Sequence, residues 1–184
     1  MTPSPPGFDH GSPRLEPASA EQLAKAEALV GEAAETNMER TLAQAPNVLR
    51  GYLAFENALA RGSLRPRLVE QVAITMAEEN RCLYCLSAHL EAARNFRLAP
   101  AELERNREGH SEDPRAEAVL QFARALATSR GSVSEEELRD ARAAGLTESE
   151  LMQVVGLVAL NVFTNYFNRL ARPVIDFPIA EVST

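Results

Sequence analysis

The sequence predicts an all-α fold, a single-domain bundle of seven or eight helices. Three observations carry that expectation. Apolar residues recur at helical spacing along most of the chain. Capping-box patterns open three of the segments, and prolines stand where others begin. No segment between turn signals alternates apolar and polar residues as a half-buried strand does.

The elements follow in order. Residues 1–18 contain Pro3, Pro5, Pro6, Pro13 and Pro17, so they read as a flexible arm that cannot sustain a helix. Ser19-Ala-Glu-Gln22 starts the first helix, whose apolar stripe is Leu23, Ala26, Leu29 and Val30. Pro46 starts a second, with Val48, Leu49, Tyr52, Leu53 and Phe55 on its apolar side, and Gly62-Ser63 ends it. Pro66 starts a third, carrying Leu68, Val69, Val72, Ile74 and Met76. A fourth spans about 81–96, and Pro100 begins a short piece. Residues 106–114 read as a loop, and helical pattern resumes over 115–129. Ser134-Glu-Glu-Glu137 and Thr147-Glu-Ser-Glu150 open two more helices. The last of these, over 148–170, is the most apolar and is expected in the core or at a subunit interface, ending at Pro173. The domain is expected over 19–175, with a C-terminal tail at 176–184.

Composition narrows the function classes. The chain has 184 residues, with 45% hydrophobic and 24% charged, which suits one globular domain. Nineteen Lys and Arg against 26 Asp and Glu give a net charge of −7, which offers nucleic acid or an anionic membrane no general attraction. No apolar run reaches the roughly 18 residues of a spanning helix. The stretch MTPSPPGFDHG lacks the basic and apolar regions of a secretion signal, so a cytoplasmic location is the expectation.

The chemistry concentrates in one short segment. Both cysteines of the chain lie in Cys82-Leu83-Tyr84-Cys85, and His89 follows. On a helical wheel Cys85 and His89 fall about 60° and 20° from Cys82, so one face presents two thiols and an imidazole. Cys82 and Cys85 have the Cys-X-X-Cys spacing of redox-active pairs, and Cys85 and His89 are i, i+4 neighbours. Asn80 is the expected N-cap, which would place Cys82 at the second and Cys85 at the fifth helical position. The dipole and free amides of a helix start favour a thiolate. Glu70 precedes Cys82 by 12 residues, about 18 Å along a straight helix. A turn at Glu78-Glu79-Asn80 would fold the third helix back and bring Glu70 to the imidazole.

Other chemistries fit less well. Zinc could take Cys82, Cys85 and His89 with His110 or Glu70, but a structural site usually draws its ligands as two pairs. Leu86 after Cys85 excludes the haem attachment motif, and the missing βαβ pattern argues against a thioredoxin fold. His10 in the arm and His110 in the polar loop are expected to be solvated.

The pattern Glu70-X11-Cys82-X2-Cys85-X3-His89 resembles the active-site motif of the alkyl hydroperoxidase D-like proteins of the carboxymuconolactone decarboxylase superfamily. Asn161-Val-Phe-Thr-Asn-Tyr-Phe-Asn168 is similar to the late helix of its peroxidase-related branch. The resemblance implies an alkyl hydroperoxidase D-like bundle and a thiol peroxidase or disulfide oxidoreductase that needs no cofactor. It implies Cys85 as the peroxidatic thiol, Cys82 as the resolving thiol, His89 as the base and Glu70 behind it in a proton relay. It also implies an external dithiol reductant, lipoyl or thioredoxin-like, and a homo-oligomer. The family's histidine between the cysteines is replaced by Tyr84, which retains a hydroxyl to donate. The decarboxylase branch lacks the cysteine pair, so its activity is not implied.

Overall fold

A computed structural model describes residues 7–8 and 11–182. Residues 1–6, 9–10 (His10 included) and 183–184, parts of the expected arm and tail, lie outside the described residues. Among these there is no strand and there are nine α-helices. They are α1 (Ala20–Val30), α2 (Asn37–Leu42), α3 (Pro46–Ala60), α4 (Pro66–Glu79), α5 (Leu83–Ala93), α6 (Pro100–Arg107), α7 (Pro114–Ser129), α8 (Glu135–Ala143) and α9 (Glu148–Ala171). A 3₁₀ turn at Arg94–Phe96 follows α5. The helix beyond the expected set is α2, whose six residues are too few to show a period.

Local chemistry sets most boundaries. Ser19, Thr36, Ser134 and Thr147 each accept from the N3 amide, while Gln22, Glu39, Glu137 and Glu150 bond back to the cap amide. Each cap is worth about 1 kcal/mol. Proline stands in the first turn of α3, α4, α6 and α7, where its missing N–H costs nothing.

The centre of the bundle is α4. Gln71 to Ala77 are all buried, with Val72, Ile74, Met76 and Ala77 fully enclosed. No charge interrupts that run, so α4 can be covered on every side by α5, α6, α7 and α9. One core cluster joins Val72 and Met76 to Val119, Leu120, Leu151 and Val154. A second surrounds Cys82, Cys85, Ile74 and Leu86. Each fully buried Leu, Val, Ile or Met contributes about 1.5–3 kcal/mol.

The most apolar helix by sequence, α9, flanks the centre. One face packs inward through Leu151, Val154, Leu157 and Asn165. Its opposite stripe of Met152, Val155, Phe163, Tyr166 and Leu170 is exposed. Val48 and Phe55 of α3 extend that apolar surface. The close approach of α3 to α9 depends on Gly156, where a Cβ would stand 2.7 Å from a Leu59 methyl. Gln153 secures it by donating to Leu59 O and accepting from Leu64 N, both at 2.9 Å.

Both chain ends lie against the body where described. The amides of Arg14 and Leu15 donate to Ala171 O at 2.8 and 3.1 Å, and the amide of Ala180 donates to Ser87 Oγ at 3.0 Å. Among the described residues no single helix is long and apolar enough to cross a membrane.

Candidate active site

The site begins at the turn between α4 and α5. Arg81 adopts a left-handed conformation (φ 54°). Its amide donates to Glu78 O at 3.0 Å, and the amide of Cys82 donates to Ala77 O at 2.9 Å. This is the Schellman ending of a helix, with arginine in the place glycine usually takes. Asn80 is therefore the C-cap of α4 and not the N-cap of α5. Its side chain turns to α9, donating to Asn165 Oδ1 at 2.8 Å, and its carbonyl accepts from Arg169 Nη1 at 2.9 Å.

The N-cap of α5 is Cys82 itself, whose Sγ accepts from the Cys85 amide at 3.3 Å. Cys85 thus occupies the third helical position. The helix-start field acts most directly on Cys82, two positions earlier than the Asn80 reading had it.

The two sulfurs are joined in a disulfide, with Cα atoms 5.3 Å apart. Both residues are nearly enclosed, at 1% and 3% exposure. The Asn168 amide on α9 donates to Cys85 Sγ at 3.3 Å and to Met38 Sδ at 3.2 Å. Asn168 Oδ1 is buried without a partner. Cys85 lines a cavity of about 490 Å³, whereas Cys82 lines a second one of about 290 Å³. Tyr84 and Asn168 line both.

The α4–α5 turn brings Glu70 to His89. Oε2 lies 2.9 Å from Nδ1, with both side chains mostly buried. With Glu70 ionised, Nδ1 carries the proton and Nε2 is left as the basic nitrogen. Both side chains line the larger cavity with Cys85. One cavity therefore holds a sulfur of the redox pair, an imidazole and the carboxylate that orients it.

Two groups that the sequence pattern did not assign to the site share this cavity. Tyr52, read as an apolar helix residue, donates its hydroxyl to Glu56 Oε1 at 2.8 Å. Burial raises the Tyr52 hydroxyl far above its ordinary range, and the Glu56 charge adds to this. The Glu56 carboxyl is raised too, by desolvation first and by the charges of Glu39 and Glu70, against the opposing Tyr52 bond and His89. Nothing in the period of α3 marked these two, because they lie one turn apart on a face that the sequence makes only half apolar.

Tyr84 is directed elsewhere. Its hydroxyl donates to Asp176 Oδ2 at 2.6 Å and accepts the Met38 amide at 3.2 Å. Burial first, then the Asp176 bond, keeps it neutral by raising its pKa. Phe177 packs edge-on against its ring at 5.8 Å. His110 bonds Glu117 at 2.9 Å in the α6–α7 connection. Among the described residues no three His, Cys, Asp or Glu side chains converge as metal ligands.

Residues 46–127 match the model of the carboxymuconolactone decarboxylase family. That segment contains α3 to α5 and every residue of the Glu-Cys-Cys-His pattern. Over that segment the chain is similar to the carboxymuconolactone decarboxylase family.

Solved structures share this chain's fold. A peroxidase-related protein from Ralstonia eutropha JMP134, an alkylhydroperoxidase AhpD core, superposes with a TM-score of 0.72 and 22% identity. The match covers 90% of this chain and 94% of that one. A peroxidase-related protein from Silicibacter sp. TM1040 gives 0.70 at 18% identity, covering 90% and 94%. The debrominase Bmp8, as a cysteine-to-alanine variant in complex with 2,3,4-tribromopyrrole, gives 0.70 at 18%, covering 91% and 94%. At these identities the shared property is the alkylhydroperoxidase D-like fold. No curated protein matches this chain.

Proposed function

We propose that the protein is a thiol-dependent peroxidase, reducing hydroperoxides through the Cys82–Cys85 pair at the expense of an external dithiol. The observation that supports this reading is the joined cysteine pair opening on the cavity that also holds the His89–Glu70 couple.

The steps balance. In the reduced protein His89 Nε2 takes the Cys85 thiol proton, and Glu70 holds the imidazole in the accepting tautomer. The thiolate attacks the terminal peroxide oxygen and the O–O bond breaks. Cys85 becomes a sulfenic acid, and the leaving alkoxide takes the proton back from His89 as an alcohol. The Cys82 thiol displaces water from the sulfenic acid and forms the disulfide. A dithiol of the lipoyl or thioredoxin-like class then attacks the disulfide and leaves oxidised, restoring both thiols. Two electrons pass from dithiol to peroxide in each cycle, and no step draws on a flavin, haem or metal.

Steady-state hydroperoxide consumption with a dithiol is the test. Wild type is expected to turn over, Cys85→Ser to be inactive, and Cys82→Ser to consume about one equivalent and stop. Full activity in Cys85→Ser removes the proposal.

A further inference from the structure

The larger cavity carries a charge pattern beyond what thiol chemistry needs. Three carboxylates, Glu39, Glu56 and Glu70, line it, and its described lining contains neither lysine nor arginine. The single group there able to become cationic is His89, already held by Glu70 at 2.9 Å. Glu39 keeps its charge in place by accepting the amides of Glu35 and Thr36 at 2.7 and 3.0 Å. Glu56 on α3 is open to solvent as a residue, while its carboxyl is partly desolvated where it accepts from Tyr52. These groups act on one another: Glu39 and Glu70 both push the Glu56 carboxyl up, and His89 pulls it down. The rest of the wall is largely apolar, including Val69, Leu157, Leu160 and Phe177.

We propose that this cavity admits uncharged organic hydroperoxides and turns away those carrying a carboxylate near the reacting oxygen. Even a protonated imidazole offsets one carboxylate of three, so an entering anion meets net negative charge. It would also exchange its water for apolar walls with no guanidinium or ammonium to pair with. A neutral aryl or alkyl hydroperoxide loses only apolar hydration there, and a volume of about 490 Å³ is ample for one. The discrimination works by repulsion, without any dedicated contact to the favoured substrate.

The hydroperoxide part rests on the proposed function, but the charge part does not, so two measurements separate them. The first is alkylation of Cys85 in the reduced full chain at pH 8, read by mass spectrometry of its peptide. Iodoacetamide and iodoacetate differ chiefly in charge. Their rate ratio at Cys85 is expected to exceed that for 2-mercaptoethanol by at least about tenfold, or about 1.4 kcal/mol. Glu56→Gln should shrink that excess by about threefold, and so should raised salt, since the mouth of the cavity is open to solvent. The second compares cumene hydroperoxide bearing a para-carboxylate with its methyl ester, the ester being favoured in kcat/KM by at least about tenfold. An alkylation ratio within about threefold of the free thiol overturns the inference whatever the turnover. Selective alkylation with no turnover of either peroxide leaves the inference standing and removes the peroxidase reading.

Discussion

Glu70 Oε2 lies 2.9 Å from His89 Nδ1, joining two helices through a pair of residues 19 apart in sequence. With Glu70 ionised the bond places the proton on Nδ1, and Nε2 is then the base of the proposed cycle. His89→Ala is therefore expected to slow Cys85 alkylation by iodoacetamide at pH 7 by about tenfold or more. The deficit should largely vanish near pH 10, where a free thiol, with a pKa of about 8.5, is already ionised. Glu70→Gln should give a weaker form of the same profile. An equal loss at every pH would assign His89 to substrate positioning.

Asn168 offers a second test at the same sulfur. Its amide is a hydrogen-bond donor to Cys85 Sγ, while its own Oδ1 is buried unpartnered. A hydrogen bond to a charged acceptor is worth about 1.5–3 kcal/mol, so Asn168→Leu should cut Cys85 reactivity at neutral pH by about tenfold. Stability should be unchanged or slightly higher, because the orphaned oxygen leaves with the amide. Urea unfolding beside alkylation rates gives both numbers.

The turn that carries Cys82 depends on a non-glycine residue at positive φ. Arg81→Val places a β-branched side chain there and should cost about 1–2 kcal/mol. Arg81→Gly relieves the strain and should be neutral or stabilising, offset by loss of the Glu78 ion pair and the stacking on Phe8. Arg81→Val should lower the unfolding temperature, and Arg81→Gly should leave it unchanged or raise it.

How much was legible follows from the range of each signal. Capping boxes at Ser19, Ser134 and Thr147 announce their helices within four residues, and the structure uses all three. The same pattern at Thr36 and Glu39 went unread because α2 has no length to support it. Asn80 looked like an N-cap because asparagine usually is one. Only the left-handed Arg81, for which arginine gives no warning, moves the helix start to Cys82. The Glu70 approach was foreseeable from one turn and one spacing. Asn168, Glu56 and Tyr52 reach the site from α9 and α3, and no local pattern encodes a contact between elements so far apart in sequence.

Glu102 belongs with those unannounced residues. It is 5% exposed, yet accepts from Gln71 Nε2 at 3.0 Å, Asn106 Nδ2 at 3.1 Å and the Glu112 amide at 3.1 Å, with Ser111 and Arg105 beside it. Burial opposes its charge, but those donors prevail and lower its pKa below 4.5. A carboxyl lowered on folding stabilises above its unfolded pKa, and that contribution drains away as pH falls through the folded value. Glu102→Ala should lose about 2–4 kcal/mol at pH 7 by stranding Gln71 and Asn106, and less at pH 3. Chemical denaturation at both pH values checks the sign.

The exposed stripe of α9 predicts assembly. Met152, Val155, Phe163, Tyr166 and Leu170 recur at steps of three, eight, three and four residues, all close to whole helical turns, beside Val48 and Phe55 of α3. A second copy of the chain is the expected cover, giving at least a dimer. Light scattering at micromolar concentration should report more than the monomer mass, and Phe163→Glu with Tyr166→Lys should return it to monomer. Wild type at monomer mass counts against this.

The paired cysteines stand three positions apart, and that short reach has a thermodynamic consequence. In the chain-entropy picture a cross-link closing four residues removes only about 2 kcal/mol from the unfolded ensemble, whereas one closing 100 residues removes about 4.7 kcal/mol. The enclosed run of α4, not the bond, holds the bundle together. Reduction thus releases little configurational freedom, and the chain can alternate between dithiol and disulfide as a folded body. In the proposed cycle, electrons enter and leave one turn of helix while the architecture around it stays at the same depth in its free-energy well.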